Sequence, residues 1–227
     1  MPSIPPLLTH LEQRLRDGYT YQFEPIRYLR ESVAIFRQFV GGFILFSLAA
    51  LLVLRIAREL PLALFLVVIL GLSGCWAGYF WVCRQLAQAN KPQLTDFLHA
   101  FRPSNLKTWL LLAIIIALPF VIALAIAAYT PVVVDLVVLG MALLVSLLSI
   151  FALPLCACYN INPLQALSLS LGLVSKNLLP ITFFVLLLIA ANLLAIPTII
   201  GLPLSLSLSA CAIHSACSHL LAQYAAD

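Results

Sequence analysis

The sequence predicts an all-α, polytopic integral membrane protein: six transmembrane helices in three hairpins, each hairpin preceded by an amphipathic interfacial helix on the cytoplasmic face. Three observations predict it. Hydrophobic residues make up 63% of the 227 residues and charged residues 9%, with a mean hydropathy of +1.11, against about 25% charged residues in soluble domains. Six mostly apolar stretches, 38–57, 61–83, 107–129, 131–157, 178–197 and 202–222, approach or exceed the roughly 20 residues a helix needs to cross a bilayer. Ahead of the first, third and fifth, a proline opens an amphipathic segment: Pro25, Pro92 and Pro163.

The elements follow in chain order. Residues 1–24 form a cytoplasmic N-terminal segment, in which Leu7, Leu8, Leu11 and Leu15 predict a short amphipathic helix stopped by Gly18. The first 33 residues are too charged for a cleaved signal peptide, so the first span is expected to act as an uncleaved anchor. Residues 25–227 form the membrane domain. Proline suits the first helical turn, where its missing N–H is not needed, and helical spacing follows each one. The apolar faces are Ile26, Leu29, Val33 and Phe36, then Leu94, Phe97, Leu98 and Phe101, then Leu164, Leu167, Leu171 and Val174. Opposite them stand Arg27, Arg30 and Arg37, then Gln93, Asp96 and Arg102, then Gln165, Ser168, Ser175 and Lys176. Each segment is therefore read as a helix in the membrane interface, and Phe97 is expected to meet the acyl boundary.

Lys and Arg favour the cytoplasmic side of short loops. Arg14, Arg16, Arg27, Arg30 and Arg37 precede the first span; Arg84, Lys91, Arg102 and Lys107 separate the second from the third; Lys176 separates the fourth from the fifth. Only Arg55 and Arg58 fall on the other side. Both termini are thus expected to be cytoplasmic, in a bacterial inner membrane. Anionic inner-leaflet lipid accounts for the net charge of +4 without nucleic acid.

The unit of interfacial helix, outgoing span and returning span recurs over about 25–84, 92–157 and 163–222. An even number of crossings gives the units one orientation, unlike inverted transporter repeats. Pro25, Pro92 and Pro163 lie about 67 and then 71 residues apart, as a repeated unit requires.

Tyr28 to Phe39, Pro92 to Arg102 and Leu153-Pro154 through Pro180 carry a family likeness, the last with Asn162-Pro163-Leu164-Gln165-Ala166-Leu167, Ser168, Ser170 and Lys176-Asn177. The pattern resembles bacterial six-span proteins related to the YciC-like family and to the membrane domain of glycerophosphodiester phosphodiesterases. The resemblance implies a cell-envelope membrane protein and no particular chemistry. It carries over no phosphodiesterase activity, because the matching residues include no catalytic domain.

Catalytic patterns are absent from the sequence. No acidic pair lies inside the spans for acid and base work, no glycine loop awaits a phosphate, and no HExxH-like pair shares a helix face. Asp135, one turn after Pro131, reads as a cap at the outer end of the fourth span. The set with the most chemical potential is Cys83, Cys156, Cys158, Cys211, His214 and Cys217, with Cys75 and His219 nearby in sequence, all on the returning spans. Thiolate and imidazole suit zinc, copper(I) or iron. Buried cysteine more often behaves as a small apolar residue, so no metal or other cofactor is expected, and His214 is read as bonding a serine or a carbonyl across helices.

Packing signals are clearer. Gly74 and Gly78 form a GxxxG pair, and Gly201, Ser205, Ser209, Ala212 and Ala216 form a small stripe on the sixth span. Asn192, Ser146 and Ser149 read as polar packing handles, while Pro119, Pro154 and Pro197 are expected to kink or end their spans. These features together predict a non-enzymatic membrane module that binds lipid or a partner membrane protein through its basic cytoplasmic face, in envelope maintenance or as an accessory subunit, with self-association through the small-residue stripes a further option. The alternative is a carrier or flippase for a lipid or small amphiphile, and a third reading is metal or haem handling.

Overall fold

A computed structural model describes residues 13–14, 21–57, 59, 62–102, 105–106, 108–111, 113–114, 140, 144–145, 147, 149–198 and 200–225. Among these, regular structure is entirely helical. The helices are α1 (Pro25–Arg37), α2 (Val40–Ala57), α3 (Leu62–Ala87), a 3-10 helix (Leu94–Phe101), α4 (Ala152–Tyr159), α5 (Pro163–Lys176), α6 (Leu178–Ala195) and α7 (Gly201–Ala225). The expected spans over 107–129 and the outer part of 131–157 fall largely outside the described residues. So do the N-terminal leucines with Gly18, and Arg16, Arg58, Lys107, Pro119, Pro131, Asp135 and Ser146.

Local chemistry sets the boundaries. Pro25 and Pro163 stand in the first turn of α1 and α5, and Asn162 caps α5 by accepting the Leu164 N–H at 3.2 Å. The chain breaks after α1 at Gln38, whose N–H turns back to the carbonyls of Ile35 and Phe36, and α2 starts two residues on. Asn160 ends α4 in the left-handed region at φ 52°, which asparagine tolerates better than bulkier residues. The helix is interrupted just ahead of Pro154, as expected of it: residues 150–151 form a turn, α4 begins at Ala152, and the proline, third in α4, offers no N–H to the carbonyl of Ile150.

Among the described residues, three helices are long and apolar enough to cross a membrane: Val40–Ala57, Leu178–Ala195 and Gly201–Gln223, with mean hydropathies of 2.3, 2.5 and 1.3. The last of these is the hub. α7 packs against α1, α2, α3, α4 and α6, and Ala210, Cys211, Ala212, Ala216 and Leu220 on it are wholly buried.

The proline-led segments have two apolar faces rather than one. In α1, Tyr28, Ser32 and Phe36 face the protein, while Ile26 and Val33 are exposed. In α5, Ala166, Leu169, Leu173 and Val174 turn inward and Leu164 and Leu171 outward. The middle segment departs furthest from expectation. It is a 3-10 helix, started by a capping box in which Asp96 accepts the Gln93 N–H at 2.8 Å. Its Leu94, Leu98 and Phe101 are exposed, whereas Phe97, expected at the acyl boundary, is fully buried.

Candidate functional site

Phe97 is buried because α3 lets the 3-10 helix come close. A Cβ on Gly78 would collide with the Phe97 carbonyl, and one on Gly74 would lie 2.8 Å from the Phe101 ring. The GxxxG pair thus receives the 3-10 helix rather than another span. Phe97 then stacks on Phe46 with centroids 4.4 Å apart, and meets Phe43 and Tyr79 edge-on at 5.6 and 5.4 Å. Such pairs add about 0.5–1.5 kcal/mol beyond area burial. Gly201 serves no helix contact of this kind, since its nearest obstruction is the Thr198 hydroxyl in the turn before α7.

Hydrogen bonds join the spans at two levels. Ser47 on α2 meets the Tyr79 hydroxyl of α3 and lies 3.0 Å from Ser207 Oγ on α7. Asn192 on α6 donates to Ser209 Oγ at 2.9 Å and accepts from Ser205 Oγ at 2.9 Å. Both serines of the small stripe are therefore polar partners as well as small ones.

The strongest polar contact between the N-terminal part and α7 was not legible in the sequence. Glu31 Oε2 accepts from Ser215 Oγ at 2.5 Å and from His219 Nε2 at 2.6 Å, and Oε1 lies 3.2 Å from Arg27 Nε. Partial burial pushes the Glu31 carboxyl up, but the Ser215 and His219 hydrogen bonds outweigh it and hold the group below its ordinary value. Around this contact, Phe23 and Tyr28 meet Phe184 of α6 at 5.6 and 6.5 Å, and Tyr28 lies 5.6 Å from the His219 ring. α1 is thereby clasped against α6 and α7. Ser215 and His219 both spend their hydrogen bonds on one carboxylate oxygen of Glu31, so the trio is a clasp rather than an activated nucleophile. The only hint in the sequence was one acid, four residues after Arg27, on an otherwise basic helix.

Two contacting pairs stand out in the cysteine and histidine set. Cys83 Sγ lies 3.4 Å from Cys211 Sγ, and Cys158 Sγ donates to the Phe80 carbonyl at 3.4 Å and lies 3.8 Å from His214 Nδ1. The neighbour of His214 is thus a thiol, not the expected serine or carbonyl. Cys217 is buried on α7, while Cys156 lines a separate cavity. Among the described residues no three His, Cys, Asp or Glu side chains converge to hold a metal ion.

That cavity, about 270 Å³, lies between the 3-10 helix, Asn105, Thr108 and Trp109, and α4, with His99 and Asn160 also in its wall. The His99 ring stacks on Trp81 at 3.9 Å. Asn105 Nδ2 faces both His99 Nε2, at 3.0 Å, and the His99 carbonyl, at 3.2 Å. An amide NH2 only donates, which makes Nε2 the acceptor and puts the imidazole proton on Nδ1. Burial pushes the His99 pKa down and the Arg102 guanidinium pushes it further.

The basic residues expected at the lipid interface are not equivalent. Arg27 is bound to Glu24 and Glu31, and Arg102 lies 3.7 Å from Asp96. Arg30 and Arg37 are exposed and Lys176 is half-buried, and among the described residues none of the three forms an ion pair. No known protein family, curated protein or solved structure matches the chain.

Proposed function

We propose that the chain is a non-enzymatic inner-membrane module of six spans, both termini cytoplasmic, that binds anionic lipid along its basic cytoplasmic face. One observation carries this reading. Each proline-led segment is anchored by one apolar face while exposing large apolar side chains on another: Ile26 and Val33, then Leu94, Leu98 and Phe101, then Leu164 and Leu171. Exposed apolar side chains beside Arg30, Arg37 and Lys176 form the surface that an acyl boundary under anionic headgroups would cover. A partner membrane protein using the same face is the competing occupant, and the likeness to YciC-like proteins belongs with either.

The test is lipid enrichment. Protein reconstituted in nanodiscs of phosphatidylglycerol and phosphatidylcholine is expected to hold an excess of phosphatidylglycerol. Replacing Arg30, Arg37 and Lys176 by Gln should remove most of it, each basic group near the surface being worth about 1 kcal/mol. Equal retention of both lipids by the parent protein would reject the reading. Topology is tested separately with single cysteines at Thr20, Ser104, Thr130 and Ser175 in a cysteine-free background. Only Thr130 should be labelled from outside by an impermeant reagent.

A further inference from the structure

We propose that the groove between α1, α6 and α7 is a site for one acyl chain of an anionic phospholipid, with its phosphate on Arg30 and Arg37. The inference rests on the lipid-binding reading above and names its place. The groove encloses about 180 Å³ and its wall is Leu29 and Val33 of α1, Leu187, Leu188 and Ala191 of α6, and Leu208 of α7. Three serines also line it, and all three are already bonded. Ser32 donates to the Leu29 carbonyl at 2.7 Å, Ser205 donates to Asn192 Oδ1, and Ser209 accepts from Asn192 Nδ2. With those hydroxyls already engaged and the rest of the wall apolar, the groove suits a hydrocarbon chain better than a polar occupant.

Charge at the rim selects the headgroup. Arg30 and Arg37 stand three residues before and four residues after Val33, which puts all three on one side of α1. Both are exposed and, among the described residues, neither has an acidic partner; Arg27, one turn before Arg30, is taken up by Glu24 and Glu31. Guanidinium binds phosphate oxygens with two parallel hydrogen bonds. The clasp between Glu31 and Ser215 with His219 keeps α1 at the distance from α7 that leaves the groove open.

The experiment uses delipidated full chain, dioleoyl phosphatidylglycerol and dioleoyl phosphatidylcholine, read by native mass spectrometry. One phosphatidylglycerol per chain should be retained. Arg30→Gln with Arg37→Gln should weaken it about thirtyfold, each cation being worth about fivefold. Ala191→Trp fills the groove from an exposed position on α6 and should abolish the retained lipid, and Val33→Phe should do so from the α1 side. Independently of any variant, phosphatidylglycerol carrying a diazirine in its acyl chain should cross-link to the stretch 187–191 and to Leu208. Adducts scattered over the outer faces of α2 and α6, or full retention in both filled variants, would overturn the groove. If the arginine pair still sets the preference for phosphatidylglycerol in that case, the broader lipid reading survives. Equal retention of the two lipids by the parent would sink both.

Discussion

α6 and α7 are adjacent, both long enough to span a bilayer, and built on opposite principles. α6 has the higher mean hydropathy, 2.5 against 1.3, yet 22% of it is buried inside the protein against 61% of α7. Leu179, Phe183, Leu193 and Leu194 of α6 point outward. The residues of α7 that are wholly buried are mostly small: Ala210, Cys211, Ala212 and Ala216. In water the more hydrophobic helix would be the core. In lipid, apolar side chains gain nothing by leaving acyl chains, so the centre goes to the helix that allows close approach and offers hydrogen bonds. Ser207, Ser209, His214 and Ser215, all buried on α7, supply the second requirement.

The contrast is broken most directly by overfilling α7. Ala216→Leu forces a larger side chain into a fully buried site and should destabilise the protein by about 1–3 kcal/mol, read as a lower midpoint of unfolding in mixed micelles. A neutral outcome would mean that α7 is not tightly enclosed.

The next largest effect is expected at the clasp. Glu31→Gln leaves Ser215 and His219 without their carboxylate, which should cost about 1 kcal/mol at this partly exposed site and speed protease cleavage at α1. The same contact predicts a pH dependence. Because the Glu31 pKa is held below its ordinary 4.5, the stabilisation is present above pH 4.5 and is lost as pH falls through the lower folded value. His99 acts in a higher window. Its folded pKa lies below the ordinary 6.5, so its contribution is complete above pH 6.5 and declines as pH falls toward the folded value. Tryptophan fluorescence should therefore report loosening of the Trp81 stack at a pH where protease still finds α1 docked. A single transition for both signals would show that the two regions are coupled.

Smaller effects sharpen the comparison at the α6–α7 contact. Asn192→Leu removes the bonds to Ser205 and Ser209 and should cost about 0.6 kcal/mol, the usual scale for such bonds in membranes. Leu194→Ala, 81% exposed on α6, should stay within about 0.5 kcal/mol of the parent. A Leu194→Ala loss comparable to that of Ala216→Leu would put a protein partner, not lipid, against α6.

The sequence by itself determined an all-helical chain with membrane-length apolar helices, and it located the starts of α1 and α5. Those properties are local: proline in a first turn, an asparagine cap, and enough consecutive apolar residues to satisfy the backbone across a bilayer. Only the tertiary structure decided which helix is central, that Phe97 turns inward, that His214 faces Cys158, and that Glu31 holds α1. The Glu31 contacts join residues 184 and 188 positions apart, beyond the reach of any helical period. Facing was hidden for a related reason. A side chain such as Ile26 or Phe97 is equally at home against protein or acyl chains, so periodicity marks an apolar face without saying which of the two will cover it. Gly78 showed that something comes close, but only the fold could identify the 3-10 helix as what comes there.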